Sequence, residues 1–270
     1  MGQYKIVFSD VDGTLLNSAH RVTQLTREAV LQLIGKGIPF VIVSARSPSG
    51  IYPILEENGF CCPLICYSGS LILDENRKVL FHDGMEQQEA VKLTHYLDNR
   101  RGDLSWCLYS LDRWLVKERS DPRIIREEQI VKARSEEGIP ELLPPDAKVN
   151  KILCICEKEK TLEIEEDLKK NFPDYAIVKS SDMLIEIMKK GTSKADAVRR
   201  YCSIKQIRAE EAMAFGDNFN DLDMLQQVGC GILMDNAPLA MKEKISRRTM
   251  DNDHDGIYQS LVEAGMVNEQ

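Results

Sequence analysis

Strand-length apolar runs alternate with helix-spaced segments at both ends of this chain, and a long middle stretch with a different pattern breaks the alternation. Tyr4–Ser9 is apolar and β-rich, Thr23–Lys36 carries Leu25, Ala29 and Leu33 at helical spacing, and Ile38–Val43 is apolar again. Gly35 and Gly37 mark the helix exit. Ser47-Pro48 reads as an N-cap followed by proline at the first helical position, and Pro63–Tyr67 supplies a further short strand. Strands joined through single helices by short connections specify a parallel sheet with right-handed crossovers.

From about Gly84 the pattern changes. A helix over Glu86–Asn99 leads to a hairpin, Leu104–Tyr109 and Trp114–Lys117 around Leu111-Asp112, which holds both Trp106 and Trp114. Charged, proline-dotted sequence follows through Pro144-Pro145. Strand Lys151–Cys156, helix Thr161–Asn171 and strands near Tyr175–Val178 and Met183–Met188 complete the stretch. After Gly191 the alternation resumes with strand Ala212–Phe215, helix Phe219–Val228 ending at Gly229, and strand Gly231–Met234. The expected organisation is a parallel α/β core of residues 1–83 and 189–270, interrupted by an α+β domain of residues 84–188. Its hinges are expected near Asp83-Gly84 and Lys190-Gly191.

Composition narrows the classes of partner. Of 270 residues, 43% are apolar and 29% charged, ordinary globular proportions. Thirty-five Lys and Arg against 43 Asp and Glu give a net charge of −8, the wrong sign for a surface that neutralises many phosphates. No nucleic acid partner is therefore expected, whereas one small phosphorylated ligand at a local site is compatible with that charge. The densest apolar runs, such as Val41-Ile42-Val43, are strand-sized, so no membrane span is expected. Lys5 and Asp10 interrupt the first segment, so no signal peptide fits. Met1-Gly2 lacks the Ser or Thr that myristoylation wants at the place of Ile6. The chain reads as cytoplasmic, a monomer or weak homodimer. Its eight cysteines are expected to be reduced core thiols, and its four histidines stand at no zinc-ligand spacing from them.

Ligands of open α/β sheets collect outside the carboxyl ends of the strands. Asp10, Asp12, Gly13 and Thr14 follow the first strand, Ser44 the second, and Gly216, Asp217, Asn220 and Asp221 the strand Ala212–Phe215. Asp10 and Asp12 are two apart, which in an extended segment turns both to one side. Close carboxylates repel unless a cation or shared proton intervenes. With Asp217 and Asp221 on the same rim, they form the kind of set that holds Mg²⁺ beside a phosphate. Ser193-Lys194-Ala195-Asp196 reads as a capping box that puts Lys194 in the first turn of a helix. There the macrodipole disfavours a cation by about 0.3–1 kcal/mol, which Asp10 or a bound phosphoryl group would offset.

Other motif readings fail on spacing. Asp10–Gly13 opens like a calcium loop, but its sixth and twelfth positions are Leu15 and Arg21 rather than Gly and Glu. Asp251–Gly256 has the right first six positions but Val262 at the twelfth, and reads as a helix-capping turn. Gly35-Lys36-Gly37 lacks a third glycine and precedes a strand, and Gly191-Thr192-Ser193-Lys194 lacks the upstream glycine of a P-loop.

Together, Asp10-Val11-Asp12-Gly13-Thr14, Ser44, Lys194 and Gly216-Asp217-Asn218-Phe219-Asn220-Asp221 resemble the four motifs of the haloacid dehalogenase (HAD) superfamily. The insert between the second and third motifs is similar to that of the Cof-like phosphatases with a type IIB cap, as is the tail Met234-Asp235-Asn236-Ala237 with Asp255-Gly256. Two positions depart from the family pattern. Ser44-Ala45-Arg46 stands where Thr-Gly-Arg is usual, keeping a hydroxyl and the Ala45 N–H, and Ser68-Gly69 stands where Asn-Gly is usual.

The resemblance implies an α/β fold, a Rossmann-like parallel sheet core with an inserted α+β cap domain. It also implies a Mg²⁺-dependent phosphatase of a small phosphorylated metabolite, working through an aspartyl-phosphate. Asp10 would be the nucleophile and Asp12 the general acid and base. Mg²⁺ would be held by Asp10, Asp217 and the backbone carbonyl of Asp12, with Asp221 auxiliary. Ser44, the Ala45 N–H, Lys194 and Asn220 would grip the phosphoryl oxygens. The insert would act as a mobile cap, with Arg46 and the tryptophan hairpin as candidate selectors and the tryptophans alternatively as cap core. Two alternatives stay open. A sugar phosphomutase also needs an aspartate two residues after the nucleophile, and a non-catalytic phosphometabolite-binding regulator would have lost at least one of Asp10, Asp12, Lys194 or Asp217, all of which are present.

Overall fold

A computed structural model describes residues 4–131 and 133–269. Met1-Gly2, weighed above for myristoylation, lies outside them. The described residues divide into two compact units, one falling within residues 1–46, 51–81 and 193–270, the other within residues 47–50 and 82–192.

The first unit is built on a sheet in the order Cys230–Leu233, Ala212–Gly216, Ile6–Ser9, Phe40–Val43, Leu64–Cys66, Leu71–Leu73 and Val79–His82. The first five strands are parallel, with Ile6 opposite Ala212 and Val7 opposite Phe40. Every residue of Ile6–Ser9 and Phe40–Val43 is buried, as expected of central strands whose faces are both covered. Ile6, Phe8, Val41 and Val43 share one cluster with Val198 and Tyr201 of the helix Lys194–Lys205. Each such side chain, fully buried, contributes about 1.5–3 kcal/mol. The helix Gln24–Gly35 precedes Phe40–Val43, and Gly37 (φ 72°) makes the left-handed turn out of it.

Several elements depart from the sequence reading. Pro63–Tyr67 is a strand only over Leu64–Cys66, and it has an antiparallel neighbour, Leu71–Leu73, that the pattern did not announce. A tight turn joins them, with Tyr67, Ser68 and Gly69 all at positive φ. Ser47-Pro48 opens a single 3₁₀ turn, Pro48–Gly50, and the α-helix begins at Tyr52. Phe219–Val228 is a 3₁₀ turn, Phe219–Asp221, followed by the helix Leu222–Gln227. Asp251–Gly256 does turn into a helix, Gly256–Glu263, with the Asp251 carboxylate accepting the N–H groups of Asp253 and His254.

The second unit holds a six-stranded sheet in the order Tyr175–Lys179, Leu184–Lys189, Lys151–Cys156, Leu104–Ser110, Arg113–Val116 and Glu136–Glu137. All its pairings are antiparallel except the last. Leu93 and Leu97 of the helix Gln87–Asp98, and Ile164 and Leu168 of the helix Thr161–Asn171, pack with Trp106, Leu108 and Ile152. Trp114 is also buried and stacks on Tyr109 with ring centroids 5.9 Å apart. The charged stretch contains an unannounced helix, Pro122–Val131. Only Ile124 and Glu127 of it are buried.

All eight cysteines are free, but Cys61 is exposed and so is not a core thiol. No helix among the described residues is long and apolar enough to cross a membrane.

Candidate active site

The Ile6–Ser9 and Ala212–Gly216 strands are neighbours, so the residues that leave their carboxyl ends meet. The Asp10 N–H donates to the Phe215 carbonyl at 3.0 Å, which carries the pairing one residue beyond the strand. Lys194 is the first residue of its helix, whose start is set by Ser193. The Ser193 hydroxyl accepts the Asp196 N–H at 3.0 Å and donates to the Asp196 carboxylate at 2.7 Å. Asp196 thus takes the hydroxyl rather than the Ser193 backbone N–H that a capping box predicts; it is one methylene shorter than the usual Glu. Gly69 presses on this helix start: a Cβ there would stand 2.6 Å from the Ser193 carbonyl oxygen.

Lys194 is 2% exposed and donates to both the Asp10 and the Asp221 carboxylates. Asp221, wholly buried, also accepts the N–H groups of Asp217 and Asn218 at 3.1 Å. It therefore braces the loop after Ala212–Gly216 against the lysine. Asp217 accepts from the Thr14 hydroxyl at 2.8 Å, and Gly13 (φ 83°) lies so close that a Cβ would meet Asp217 Oδ2 at 2.5 Å. The Asn236 amide holds the Gly13 carbonyl from the other side at 2.8 Å.

One carboxylate oxygen each from Asp10, Asp217 and Asp221 fall within 4.8 Å of one another. Three carboxylates against one ammonium leave an excess of negative charge in a buried place. Burial, opposed by Lys194 and reinforced by Asp221 and Asp217, pushes Asp10 up to about 8. Burial likewise pushes Asp217 up to about 6, against the Thr14 hydrogen bond. Burial works to lower Lys194, but the Asp10 and Asp221 charges outweigh it and hold the ammonium above its usual range. A divalent cation would relieve this excess, and the hard oxygen donors suit Mg²⁺.

Not every sequence candidate joins this group. The Asp12 carboxylate is outside the three and exposed, and it is gripped by the Arg46 guanidinium. Ser44 is buried at the end of its strand, where its hydroxyl accepts the Arg46 N–H at 3.2 Å. Ala45 is half-buried beside it. Asn220 is exposed and makes no side-chain hydrogen bond to the acidic residues. Thr14, Arg46 and Asn236 are the contributors that spacing alone undervalued. Thr14 and Arg46 adjoin the candidate residues in sequence, whereas nothing in the pattern tied Asn236 to Gly13.

The model of the haloacid dehalogenase-like hydrolases matches residues 7–261. The chain belongs to that family. Its enzymatic class is that of a phosphatase. A Haemophilus influenzae protein named "Putative phosphatase" is 34% identical over 96% of this chain and 98% of its own. At 24% identity, over 94% of this chain and 95% of the relative, stands a Bacillus subtilis protein named 5-amino-6-(5-phospho-D-ribitylamino)uracil phosphatase. The fold is also that of a Thermotoga maritima crystal structure, with a TM-score of 0.88 at 23% identity, covering 99% of this chain and 98% of that one.

Proposed function

We propose that this hydrolase cleaves small phosphorylated metabolites, sugar phosphates or similar phosphomonoesters, through an aspartyl-phosphate on Asp10 with Mg²⁺ as cofactor. The observation that carries the reading is the buried group in which Lys194 bridges Asp10 and Asp221 beside Asp217. Asp10, Asp217 and the Asp12 carbonyl would hold the ion. Asp221, most of whose acceptor sites are taken by Lys194 and two backbone N–H groups, is auxiliary to them. When bound, the ion neutralises phosphoryl charge and orients the ester.

Asp10 attacks phosphorus in line, and the ester's P–O bond breaks as the Asp10–phosphorus bond forms. Lys194 opposes the burial that raises Asp10, aims its carboxylate, and offers its charge to the phosphoryl oxygens. Asp12 gives a proton to the departing alkoxide and then takes one from the water that opens the acyl phosphate. A phosphomutase would use the same aspartate on a sugar hydroxyl, so the phosphatase relatives, not Asp12, support hydrolysis over that alternative. Ser44, the Ala45 N–H and Asn220 complete the grip on phosphate. Residues 84–188 act as the cap that closes the site and selects the leaving group. The reading is of a cytoplasmic enzyme, which its free thiols support.

The test is to mix the enzyme with Mg²⁺ and a phosphomonoester, quench in acid and map the phosphoryl group by peptide mass spectrometry. The label is expected on the peptide carrying Asp10, and the Asp12→Ala variant is expected to retain it while turning over slowly. Turnover with no protein-bound phosphoryl group at any time would contradict the covalent route.

A further inference from the structure

The sheet has a second end. Gly37–Pro39 lead into the strand Phe40–Val43, and Cys61–Pro63 lead into Leu64–Cys66. In a parallel sheet these segments lie at the edge opposite Asp10 and Ser44. A cavity of about 240 Å³ opens there, walled by Ile34, Pro39 and Phe40 and bearing Glu75, Tyr201 and Lys205. At roughly 30 Å³ per water it has the bulk of about eight water molecules, the size of a small metabolite. The chemistry described above makes no use of it.

Three polar residues line this space. The Tyr201 ring is locked in the core edge-on to Phe8, with centroids 6.1 Å apart, and the residue is 0% exposed. Its hydroxyl is buried with no hydrogen-bond partner, and the groups acting on it include Glu75 and Cys62, both of which line the cavity. Burial, with Glu75 beside it, pushes the phenol up, so it stays protonated and can only gain by donating. Lys205 and Glu75 are exposed, carry opposite charges, and have no ion-pair partner among the described residues. The Lys205 ammonium stands 5.6 Å from the centroid of the Tyr201 ring.

We propose that this cavity binds a small apolar amino acid. The aliphatic side chain takes the Ile34 and Pro39 wall, the carboxylate meets Lys205 and, displacing the side chains that seal it, accepts from the Tyr201 hydroxyl, and the ammonium meets Glu75. The pattern selects by exclusion as well as by contact. A hydrocarbon leaves the Tyr201 hydroxyl unpaired, a lone carboxylate faces Glu75, and a lone amine faces Lys205. A zwitterion satisfies both signs.

The experiment is calorimetric titration of the full-length protein with L-leucine and L-valine, against isocaproate and isopentylamine as single-charge counterparts of leucine. Saturable binding of an amino acid is expected, with both counterparts at least about tenfold weaker. Tyr201→Phe and Lys205→Gln should each weaken it about tenfold. Tyr201→Phe should also raise the melting temperature of the ligand-free protein, because it removes an unpaired buried hydroxyl, and Lys205→Gln on the rim leaves the core untouched. The absence of saturable binding for both amino acids would overturn the proposal. So would equal affinity for either counterpart, or affinity unchanged by Tyr201→Phe.

Discussion

Arg46 holds Asp12 through two nitrogens, Nε donating to Oδ2 at 2.9 Å and Nη2 to Oδ1 at 2.5 Å. A planar fork on a carboxylate fixes the plane of the acid as well as its position, which a lysine at the same place would not do. Arg46 had entered as a candidate selector of substrate; if Asp12 is the proton-transfer group, as proposed, the contact also gives Arg46 the role of positioning it.

Replacing Arg46 by Ala or Lys is therefore expected to lower kcat by about 10–100-fold on an alkyl phosphate, part of the factor general acid catalysis supplies. The loss should be smaller on p-nitrophenyl phosphate, whose leaving group needs no proton. Steady-state rates on the two esters check this, and equal losses on both would assign Arg46 to phosphate binding instead.

Lys194 separates two carboxylates in a place that water barely reaches. Lys194→Met removes the cation and leaves Asp10 and Asp221 facing each other unpaired. A stability loss of about 3–5 kcal/mol is expected, together with loss of activity. Urea unfolding of the metal-free variant reads the first, and an unchanged midpoint would mean that the pair is not coupled as described.

Gly69 sits at φ 118° with no room for a side chain beside the Ser193 carbonyl. Gly69→Ala should cost more than about 1 kcal/mol. It should also lower kcat, because the start of the helix that carries Lys194 must shift. Thermal unfolding and phosphate release measured on the same preparation check both parts.

Glu127 faces the interior of the second unit, where burial pushes its carboxyl up against the pull of Arg126 and Lys151. An acid whose folded-state pKa is raised stabilises least once pH has risen past that value. Glu127→Gln is therefore expected to raise the melting temperature at neutral pH, with the gain fading as pH falls toward the ordinary Glu range. Calorimetry at pH near 7 and near 4.5 tests the sign; a gain that grows on acidification would refute it.

Much of this was legible in the sequence because the chain repeats one physical device. Buried parallel strands read as unbroken apolar runs, so Ile6–Ser9, Phe40–Val43 and Ala212–Gly216 announced themselves, and their carboxyl ends gave Asp10, Ser44 and Asp217. The strand Lys151–Cys156 and the helix Thr161–Asn171 stand at the residues expected. The turn from Leu64–Cys66 into Leu71–Leu73 was only partly signalled, by Ser68-Gly69, because Tyr67 and Ser68 adopt positive φ that their side chains do not announce. The helix Pro122–Val131 lies inside the charged, proline-dotted stretch and was passed over there. Long-range pairings such as Asn236 with Gly13 leave no local period at all.

The most direct measurement is phosphate release from a phosphomonoester by chelator-stripped enzyme, titrated with Mg²⁺ and repeated with Asp10→Asn. Activity absent without metal, restored by Mg²⁺ and lost in Asp10→Asn is the predicted result. Turnover that survives the chelator or the Asp10→Asn exchange would contradict it.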